Sequence, residues 1–272
     1  MLFVEANGAR IPAIGLGTWE LSGRPAARVV EQALRLGYRH IDTAQVYDNE
    51  REVGDGLRAS GVRRDDVFLT TKVWTNHFAP NDLERSVKES LSRLRLPSVD
   101  LLLLHWPNAH VPLAETLGAL SHAKRMGLAR HIGVSNFTVA LIEQAVALSP
   151  EPLVCNQVEY HPYLDQAKVK AACDQHGLAL VAYSPIARGR IKSDQTLAEI
   201  GHLHRKSPAQ VCLRWLVQQK VVAIPRTSRV ERLSENIDIF DFELSDDEMA
   251  RIAALASPHG RLTDFGFAPK WD

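Results

Sequence analysis

Residues 99–105 read VDLLLLH, and four consecutive leucines lead there to a histidine. A strand with one face in water alternates apolar and polar side chains, so an unbroken run is typical of a parallel strand that is buried on both faces. Seven further runs have the same character, a short apolar segment that ends in small, polar or aromatic residues. They are AIGLGTW (13–19), RHID (39–42), VFLTTK (67–72), RHIGVSN (130–136), LVCNQVE (153–159), LALVAYS (178–184) and VVAIPRT (221–227).

The segments between these runs have the spacing of amphipathic helices. Between residues 83 and 94, leucine and valine recur every three or four positions and so share one helix face. Asn81 and Glu84 have the spacing of a capping box in front of that helix. Ser207 and Ser245 predict two more helix starts, the first followed directly by a proline.

Alternating strands and helices of this number predict an α/β protein that closes into a (β/α)₈ TIM barrel. Asn7-Gly8, between two short alternating runs, predicts an N-terminal β-hairpin. The helix from Ser245 is expected as an addition after the last strand. Because no linker or low-complexity segment interrupts the pattern, residues 1–272 are interpreted as a single domain. A doubly wound open sheet is the alternative, but GLGTWE (15–20) lacks the third glycine of a dinucleotide-binding turn.

The composition argues against several classes of partner. The 272 residues carry 32 basic and 32 acidic side chains, so a nucleic-acid-binding surface is not expected. No apolar run is long enough to span a bilayer, and the N-terminus MLFVEANG lacks the features of a signal peptide. The three cysteines match no disulfide or metal spacing, and no metal is expected. We therefore expect a cytoplasmic protein with reduced thiols and no membrane partner.

Polar and aromatic side chains stand at the ends of the predicted strands, and in a barrel those ends meet on one face. Asp42 ends the second strand and Lys72 the third, while His105 follows the fourth and Tyr47 follows Asp42. Because these strands are neighbours, the four side chains can converge within hydrogen-bond reach. Each also has a structural explanation when taken alone: a helix cap, a charged group that snorkels, a satisfied core histidine and a packing tyrosine.

Such a cluster could act as a phenolic acid. A free tyrosine has a pKa of about 10 and is a weak acid at neutral pH, but a nearby lysine cation is expected to lower that pKa. The phenol could then protonate a carbonyl oxygen while a nucleophile attacks the carbon. No catalytic triad or metal site is recognisable, so the nucleophile is expected to come from a cofactor, with hydride the obvious candidate.

The later strands could hold that cofactor. Ser135, Asn136 and Gln157 could bind a carboxamide, and Tyr183 offers a flat ring for stacking. The stretch IPRTSRVERLSEN (224–236) places arginines around the start of a short helix, where they could bind phosphate. A solvated basic helix start is the simpler explanation of these arginines, but a neighbouring pocket for nicotinamide favours a phosphate-bearing dinucleotide.

Five motifs in order give the sequence its family resemblance. GYRHIDTAQVYDNEREVG (37–54) is similar to the first signature of the aldo-keto reductases, and IPRTSRVERLSEN to their C-terminal cofactor signature. LLLLHWP, GVSNF and AYSPIARG follow in the same order and spacing. The resemblance covers nearly the whole chain and is strongest to short bacterial reductases of the 2,5-diketo-D-gluconate and methylglyoxal type.

The resemblance implies NADPH-dependent reduction of aldehydes and ketones, with Tyr47 as general acid or base and Asp42, Lys72 and His105 in support. It implies NADPH/NADP+ as cofactor, with NADH weaker, because arginines match the positions that hold the 2′-phosphate. The positions that match cofactor contacts are Thr18, Asp42, Ser135, Asn136, Gln157, Tyr183, Ser184, Pro185, Ile224, Arg226, Thr227, Ser228, Arg229, Arg232, Glu235 and Asn236. Those that match the substrate pocket are Trp19, Tyr47, Trp74, His105 and Trp106.

Departures from the family pattern lie in the loops. The family usually has lysine at the position of Arg226 and often serine at that of Thr227. The positive charge and the hydroxyl group are kept in this sequence. The loop after LLLLHWP, the segment after AYSPIARG and the C-terminal tail are short, which predicts an open pocket for a small-molecule carbonyl substrate. A monomer is expected, because no large exposed apolar pattern is evident. Two other functions remain: an NADPH-binding regulatory barrel with little turnover, and a sugar-phosphate isomerase, in which the Tyr–Lys pair would have no role.

Overall fold

The computed structural model describes residues 2–272, in which eight parallel strands form one sheet. The strands are short, and their order in the sheet follows the chain, as the alternating pattern predicts. They are β3 (Leu16–Gly17), β4 (His40–Asp42), β5 (Phe68–Val73), β6 (Val99–Leu104), β7 (Ala129–Ser135), β8 (Leu153–Glu159), β9 (Ala179–Tyr183) and β10 (Val222–Ala223).

The first and last of these strands close the sheet into a barrel. Parallel bridges join Ile14 to Ala223 and Gly17 to Arg226. The backbone nitrogen of Gly17 donates to the carbonyl of Pro225 at 3.1 Å. A Cβ at Gly17 would lie 3.0 Å from the Ile224 carbonyl, so the absence of a side chain there lets the two strand ends approach.

The predicted hairpin lies outside this sheet. It consists of β1 (Phe3–Ala6) and β2 (Ala9–Pro12), paired antiparallel. The turn residues Asn7 and Gly8 both have positive φ, 43° and 87°, as a tight two-residue hairpin turn requires.

Ten α-helices are present in residues 2–272, and most of them connect consecutive strands. They are α1 (Gly23–Arg35), α2 (Glu50–Ser60), α3 (Pro80–Leu94), α4 (Leu113–Arg125), α5 (Val139–Leu148), α6 (Ala167–Gln175), α7 (Gln195–His204), α8 (Pro208–Gln218), α9 (Glu231–Ile237) and α10 (Asp246–Ala253).

The sequence named three helix starts, and the structure confirms two of them. Ser207 and Ser245 both form complete capping boxes, and α10 follows the last strand as predicted. The box expected from Asn81 and Glu84 was wrong, because α3 begins at Pro80 with Ala79 as its cap and no side-chain cap bond. Proline at the first helical position has no N–H, and so one fewer backbone donor is left without a partner at this helix start. Helix α7, before α8 in the same connection, was not predicted.

Two layers of packing position the candidate site. All six residues of β6 are buried, as a parallel strand covered by helices requires. The helices pack on the outside of the sheet, while a smaller cluster that includes Leu101, Leu103 and Val181 fills the barrel interior. Because the interior is filled with side chains, a ligand has to bind at an end of the barrel. The predicted site residues lie at the carboxyl ends of the strands.

Candidate active site

A buried ion pair joins the second and third barrel strands. Lys72 Nζ on β5 donates to Asp42 Oδ1 at 2.5 Å, and the Lys72 side chain is fully buried. The same ammonium donates to the backbone carbonyl of Thr43 at 2.8 Å. The other carboxylate oxygen of Asp42 accepts a hydrogen bond from Gln157 Nε2 on β8 at 2.8 Å. Both charges are therefore hydrogen-bonded, as charges removed from water must be.

Tyr47 and His105 lie beside this pair. Tyr47 ends a short 3₁₀ helix, Gln45–Tyr47, that begins shortly after β4. Its hydroxyl lies 3.4 Å from Lys72 Nζ. The His105 ring meets the Tyr47 ring edge to face, with centroids 5.7 Å apart. The structure thus brings together Asp42, Tyr47, Lys72 and His105, from one face of the barrel.

Burial governs the protonation of these groups. Burial, and secondly the charge of Asp42, raises the pKa of Tyr47 well above its usual range. Burial also lowers the pKa of Lys72, against the opposing effect of Asp42. Burial and the nearby Lys72 cation lower the pKa of His105 well below its usual range. At neutral pH, Tyr47 is a phenol and His105 is a neutral imidazole.

The expectation that the pKa of Tyr47 is lowered by Lys72 was wrong, because burial and Asp42 raise it. The ammonium is closer to Asp42, at 2.5 Å, than to the phenolic oxygen, at 3.4 Å. The Asp42 carboxylate offsets much of the positive charge of Lys72, and burial disfavours the charged phenolate form of Tyr47.

The residues predicted to bind a carboxamide form a hydrogen-bonded chain. Tyr183 donates its hydroxyl proton to Asn136 Oδ1 at 2.8 Å, and Asn136 Nδ2 donates to the His105 backbone carbonyl at 3.0 Å. Ser135 Oγ donates to the Gln157 backbone carbonyl at 2.8 Å. Asn136 lies at φ 63°, which aims its amide across the strand ends. Asn136, Gln157 and Tyr183 line the cleft, whereas Ser135 lies behind it.

A cleft of about 560 Å³ covers this face of the barrel. Most predicted cofactor and substrate residues line it, together with several that sequence reasoning did not select. The predicted ones are Thr18, Trp19, Asp42, Tyr47, Trp74, His105, Trp106, Asn136, Gln157, Tyr183, Ser184, Pro185, Ile224, Arg226, Thr227, Ser228, Arg229 and Arg232. The others are Gly17, Glu20, Val46, Ile186, Arg188, Gly189, Lys192, Thr263 and Phe265.

The segment after β10 contributes three arginines to the lining of the cleft. Arg226 donates to the backbone carbonyls of Trp19 and Glu20 at 3.1 and 3.2 Å, so its guanidinium also joins the two ends of the barrel. Arg229 and Arg232 line the same cleft. Two residues predicted near the adenine, Glu235 and Asn236, do not line it. They lie within α9, where Glu235 accepts a hydrogen bond from Ser207 at 2.5 Å and Asn236 is buried.

Tryptophans form the walls around the candidate tetrad. Trp74 meets the His105 ring edge to face, with centroids 5.2 Å apart, and Trp106 is buried beside it. Trp19, 38% exposed, lies at the rim of the cleft, with the guanidinium carbon of Arg188 4.9 Å from its ring centroid. The tryptophans predicted from the sequence to line the substrate pocket therefore all line one cleft.

The C-terminal tail (residues 257–272) completes the wall, which sequence reasoning did not predict. Phe265, Phe267 and Trp271 surround Trp106, with ring centroids 5.5 to 6.0 Å away. The expected open pocket is therefore bounded on this side by aromatic rings. The recurrence of aromatic residues in DFGFAPKW (264–271) was a signal in the sequence, because a solvated tail rarely carries so many.

The donor set suits a nicotinamide dinucleotide with an additional phosphate. Buried amides at Asn136 and Gln157 and the ring of Tyr183 stand near the tetrad, and arginines line the cleft as well. Amides pair with a carboxamide, and guanidinium groups bind phosphate. The described residues 2–272 contain no cluster that could hold a metal ion, and none of their helices could cross a membrane.

Comparison with known proteins gives consistent matches. The model of the aldo/keto reductase family matches residues 13–257. Methylglyoxal reductase DkgB of Escherichia coli O157:H7 is 42% identical over 265 residues, which cover 96% of this chain and 99% of that protein. A crystal structure named for 2,5-diketo-D-gluconic acid reductase B is 50% identical, with a TM-score of 0.98, and 100% of this chain and 98% of that chain are covered.

A further similar structure is a complex with the cofactor. It is an aldo-keto reductase of Bombyx mori in complex with NADP, 35% identical, with a TM-score of 0.90. The match covers 96% of this chain and 94% of that chain.

Proposed function

The chain belongs to the aldo/keto reductase family, and from that premise we propose that Tyr47 is the acid that protonates the substrate carbonyl. The protein is an NADP(H)-dependent oxidoreductase that reduces aldehydes and ketones to alcohols. When bound, NADPH supplies the hydride for the carbonyl carbon. The residue roles below are those that the geometry supports.

Tyr47 holds the proton that the reaction needs. The Tyr47 hydroxyl is protonated at neutral pH and can donate to a carbonyl oxygen, but the burial that raises its pKa also makes it a weaker acid, which the neighbouring ammonium has to offset. Lys72 Nζ, at 3.4 Å, stabilises the oxygen as the proton leaves. Asp42 keeps the ammonium in place through its hydrogen bond. In the reverse direction, the same oxygen takes the proton back.

His105 orients the carbonyl. Its imidazole is neutral and lies between the rings of Tyr47 and Trp74. A neutral imidazole can donate one hydrogen bond to an oxygen without competing with Tyr47 for the proton. The tryptophan walls hold the remainder of the substrate and exclude water from the tetrad.

The cofactor residues would divide between the two ends of NADPH. Asn136 and Gln157 would bind the nicotinamide carboxamide, with Ser135 in support, and the ring of Tyr183 would stack on the nicotinamide. Thr18, Ser184, Pro185 and Ile224 line the adjacent part of the cleft. Arg226, Thr227, Ser228, Arg229 and Arg232 would hold the phosphates, and Glu235 and Asn236 are proposed near the adenine although they do not line the cleft.

One observation carries this proposal: the phenol of Tyr47, the ammonium of Lys72 and the carboxylate of Asp42 form a continuous contact at the base of the cleft. A regulatory barrel would have no need to bury a charged pair under a phenol. The test is oxidation of NADPH at 340 nm with methylglyoxal, an aromatic aldehyde, a diketo sugar acid and a cyclic ketone, each repeated with NADH.

Turnover with NADPH, weaker with NADH, is the expected result. Methylglyoxal is the first substrate to measure, because the E. coli relative bears that name. Tight NADPH binding without turnover on any of the four compounds would instead favour the regulatory barrel.

We also propose that the chain is a cytoplasmic monomer with a single domain over residues 1–272. All three cysteines are buried and free, which suits a reducing compartment. One cluster of buried hydrophobic residues, whose members span Ala13 to Ile252, connects the helices with the barrel strands. Sedimentation velocity at two protein concentrations measures the oligomeric state.

A further inference from the structure

We propose that Glu159 is a positioning residue for the substrate pocket: its carboxylate holds the C-terminal tail against the barrel and so sets the aromatic wall around Trp106. The inference rests on the proposed function, because it concerns the pocket of the same reductase. Its physical part, the attachment of the tail, can be measured without any turnover.

Glu159 ends β8 and shares a face of that strand with Gln157. Side chains two residues apart on a strand point the same way, so Gln157 reaches Asp42 while Glu159 reaches the edge of the barrel. Glu159 is fully buried. Its Oε1 accepts a hydrogen bond from the backbone nitrogen of Leu262 at 2.6 Å, and its Oε2 accepts one from that of Thr263 at 2.8 Å.

A third contact comes from His161, whose Nε2 lies 2.9 Å from Glu159 Oε1. Burial raises the pKa of Glu159, but the hydrogen bonds from His161 and the two amides outweigh it, and the net pKa lies below its usual value. The carboxylate is therefore charged at neutral pH. Hydrogen bonds to a charged acceptor are stronger than neutral ones, and both oxygens are used.

The attachment point leads directly to the pocket. Thr263, whose amide is held by Glu159, also accepts a hydrogen bond from Arg188 at 2.9 Å and lines the cleft. Phe265 and Phe267 follow within four residues, and their rings stack with centroids 5.4 Å apart. Phe267 contacts Trp74 as well as Trp106.

The tail has other contacts as well: Arg188 donates to Thr263, and the aromatic rings pack on Trp74 and Trp106. Phe265 and Phe267 are 48% and 52% exposed, so their own burial stabilises them only in part. The far end is attached through Asp272, whose carboxylate accepts a hydrogen bond from the Val139 nitrogen at 3.0 Å at an exposed position. The Glu159 carboxylate is thus a fully buried polar attachment between the barrel and this wall.

The consequence for the reaction depends on substrate size. A large aromatic aldehyde would extend from the tetrad to the wall formed by Phe265 and Phe267. A small dicarbonyl such as methylglyoxal would be held by the tetrad alone. Release of the tail should therefore weaken binding of the large substrate and leave that of the small one nearly unchanged.

The test compares Glu159→Gln with a matched control, Asp100→Asn. Glutamine keeps the size of the side chain but removes the charge and turns one acceptor into a donor that faces a backbone N–H. Asp100 is also a buried carboxylate that accepts a backbone hydrogen bond, from Leu69 at 2.9 Å, but it lies near the start of β6, at the other end of the barrel. The control therefore measures the general cost of such a substitution.

The first readout is tryptic cleavage after Arg261, followed by intact mass, since that cut breaks the bond whose nitrogen Glu159 holds. We expect Glu159→Gln to be cut about tenfold faster than the wild type and Asp100→Asn at nearly the wild-type rate. The second readout is KM: about tenfold higher for the aromatic aldehyde in Glu159→Gln, with methylglyoxal KM and the Kd of NADPH changed less than twofold. The tenfold steps correspond to roughly 1.4 kcal/mol.

Thr263→Pro is the second variant in case Glu159→Gln does not fold. It deletes one of the two donors, together with the hydroxyl that accepts from Arg188, and leaves the carboxylate in place. It should give the same shift in substrate preference. Wild-type cleavage rates and KM values in either folded variant would overturn the proposal, and so would equal effects in Asp100→Asn.

Failure of the proposed function would look different. In that case, the wild type would turn over no carbonyl compound. The difference in cleavage between Glu159→Gln and Asp100→Asn would still decide whether the tail is held by Glu159.

Discussion

Gln157 donates its side-chain amide to Asp42 Oδ2 at 2.8 Å, across 115 residues of sequence. The other oxygen of the same carboxylate holds Lys72. A residue proposed for the cofactor and the proposed catalytic pair thus share one buried carboxylate, so substitutions on either side should affect both proton transfer and cofactor binding.

Tyr47→Phe is expected to lower kcat by a factor of about 10²–10⁴, the usual contribution of a general acid. The Kd of NADPH should change less than threefold, because the substitution removes a hydroxyl and keeps the ring. Steady-state rates at 340 nm and titration of NADPH fluorescence measure the two quantities. Turnover close to that of the wild type would mean that another group supplies the proton.

Lys72→Met is expected to reduce the free energy of unfolding by about 3–5 kcal/mol, because it leaves the carboxylate of Asp42 buried without its cation. Urea unfolding followed by circular dichroism measures the change. Lys88→Met is the control, since Lys88 pairs with Glu84 at the surface and its side chain is 56% exposed. We expect a change of less than about 0.5 kcal/mol there. A similar loss of unfolding free energy in both variants would mean that the buried Lys72–Asp42 pair contributes no more to stability than a surface pair.

Arg232→Ala is expected to weaken NADPH by tenfold or more, the effect of losing a charged hydrogen bond worth about 1.5–3 kcal/mol, and to change NADH little. Arg232 lines the cleft beside Arg229. Arg251→Ala is the control, because Arg251 pairs with Glu199 on α7. Fluorescence titration with each cofactor gives the ratio. Equal weakening of NADPH and NADH would remove Arg232 from the 2′-phosphate site.

Stability is expected to fall as the pH is lowered from about 6.5 toward 4, in part because of His40. Burial lowers the pKa of His40 from 6.5 to about 4 in the folded protein. Between these values the unfolded chain binds a proton that the folded chain does not, so acid favours unfolding. The full loss from this residue is about 3 kcal/mol.

The buried His105 acts in the same direction, so His40→Gln should flatten the pH dependence without abolishing it. His110→Gln, at an exposed loop position, should leave the slope unchanged. Urea unfolding at pH 7.0, 5.5 and 4.5 provides the comparison. A slope that is identical in the wild type and His40→Gln would contradict the assignment.

The barrel could be predicted from the sequence because its signals are local. Runs such as VDLLLLH specify a buried parallel strand through the character of neighbouring residues, and capping boxes such as Ser207 with Gln210 specify a helix start within four positions. Helix α7 was missed. Asn81 was wrongly predicted to be a cap, because α3 begins one residue earlier, at Pro80.

Site positions could be predicted from the same rhythm, since a residue that follows an apolar run lies on the open face of a barrel. The sequence placed Asp42, Lys72 and His105 there by this argument, and they do lie together. The roles assigned to them remain predictions. The direction in which the pKa of Tyr47 shifts could not be predicted, because it depends on how deeply the ring is buried and on how close Asp42 lies to Lys72.

The sequence by itself determined the order of the strands, the hairpin, and which residues reach the open face, since each depends on side chains only a few positions apart. Only the tertiary structure decided that Gln157 binds Asp42, that the tail packs on Trp106 and that Glu159 holds Leu262. These contacts join residues more than a hundred positions apart, and no local pattern encodes them. They exist because closure of the barrel brings distant strand ends and the tail to the same face, where buried polar groups must find partners.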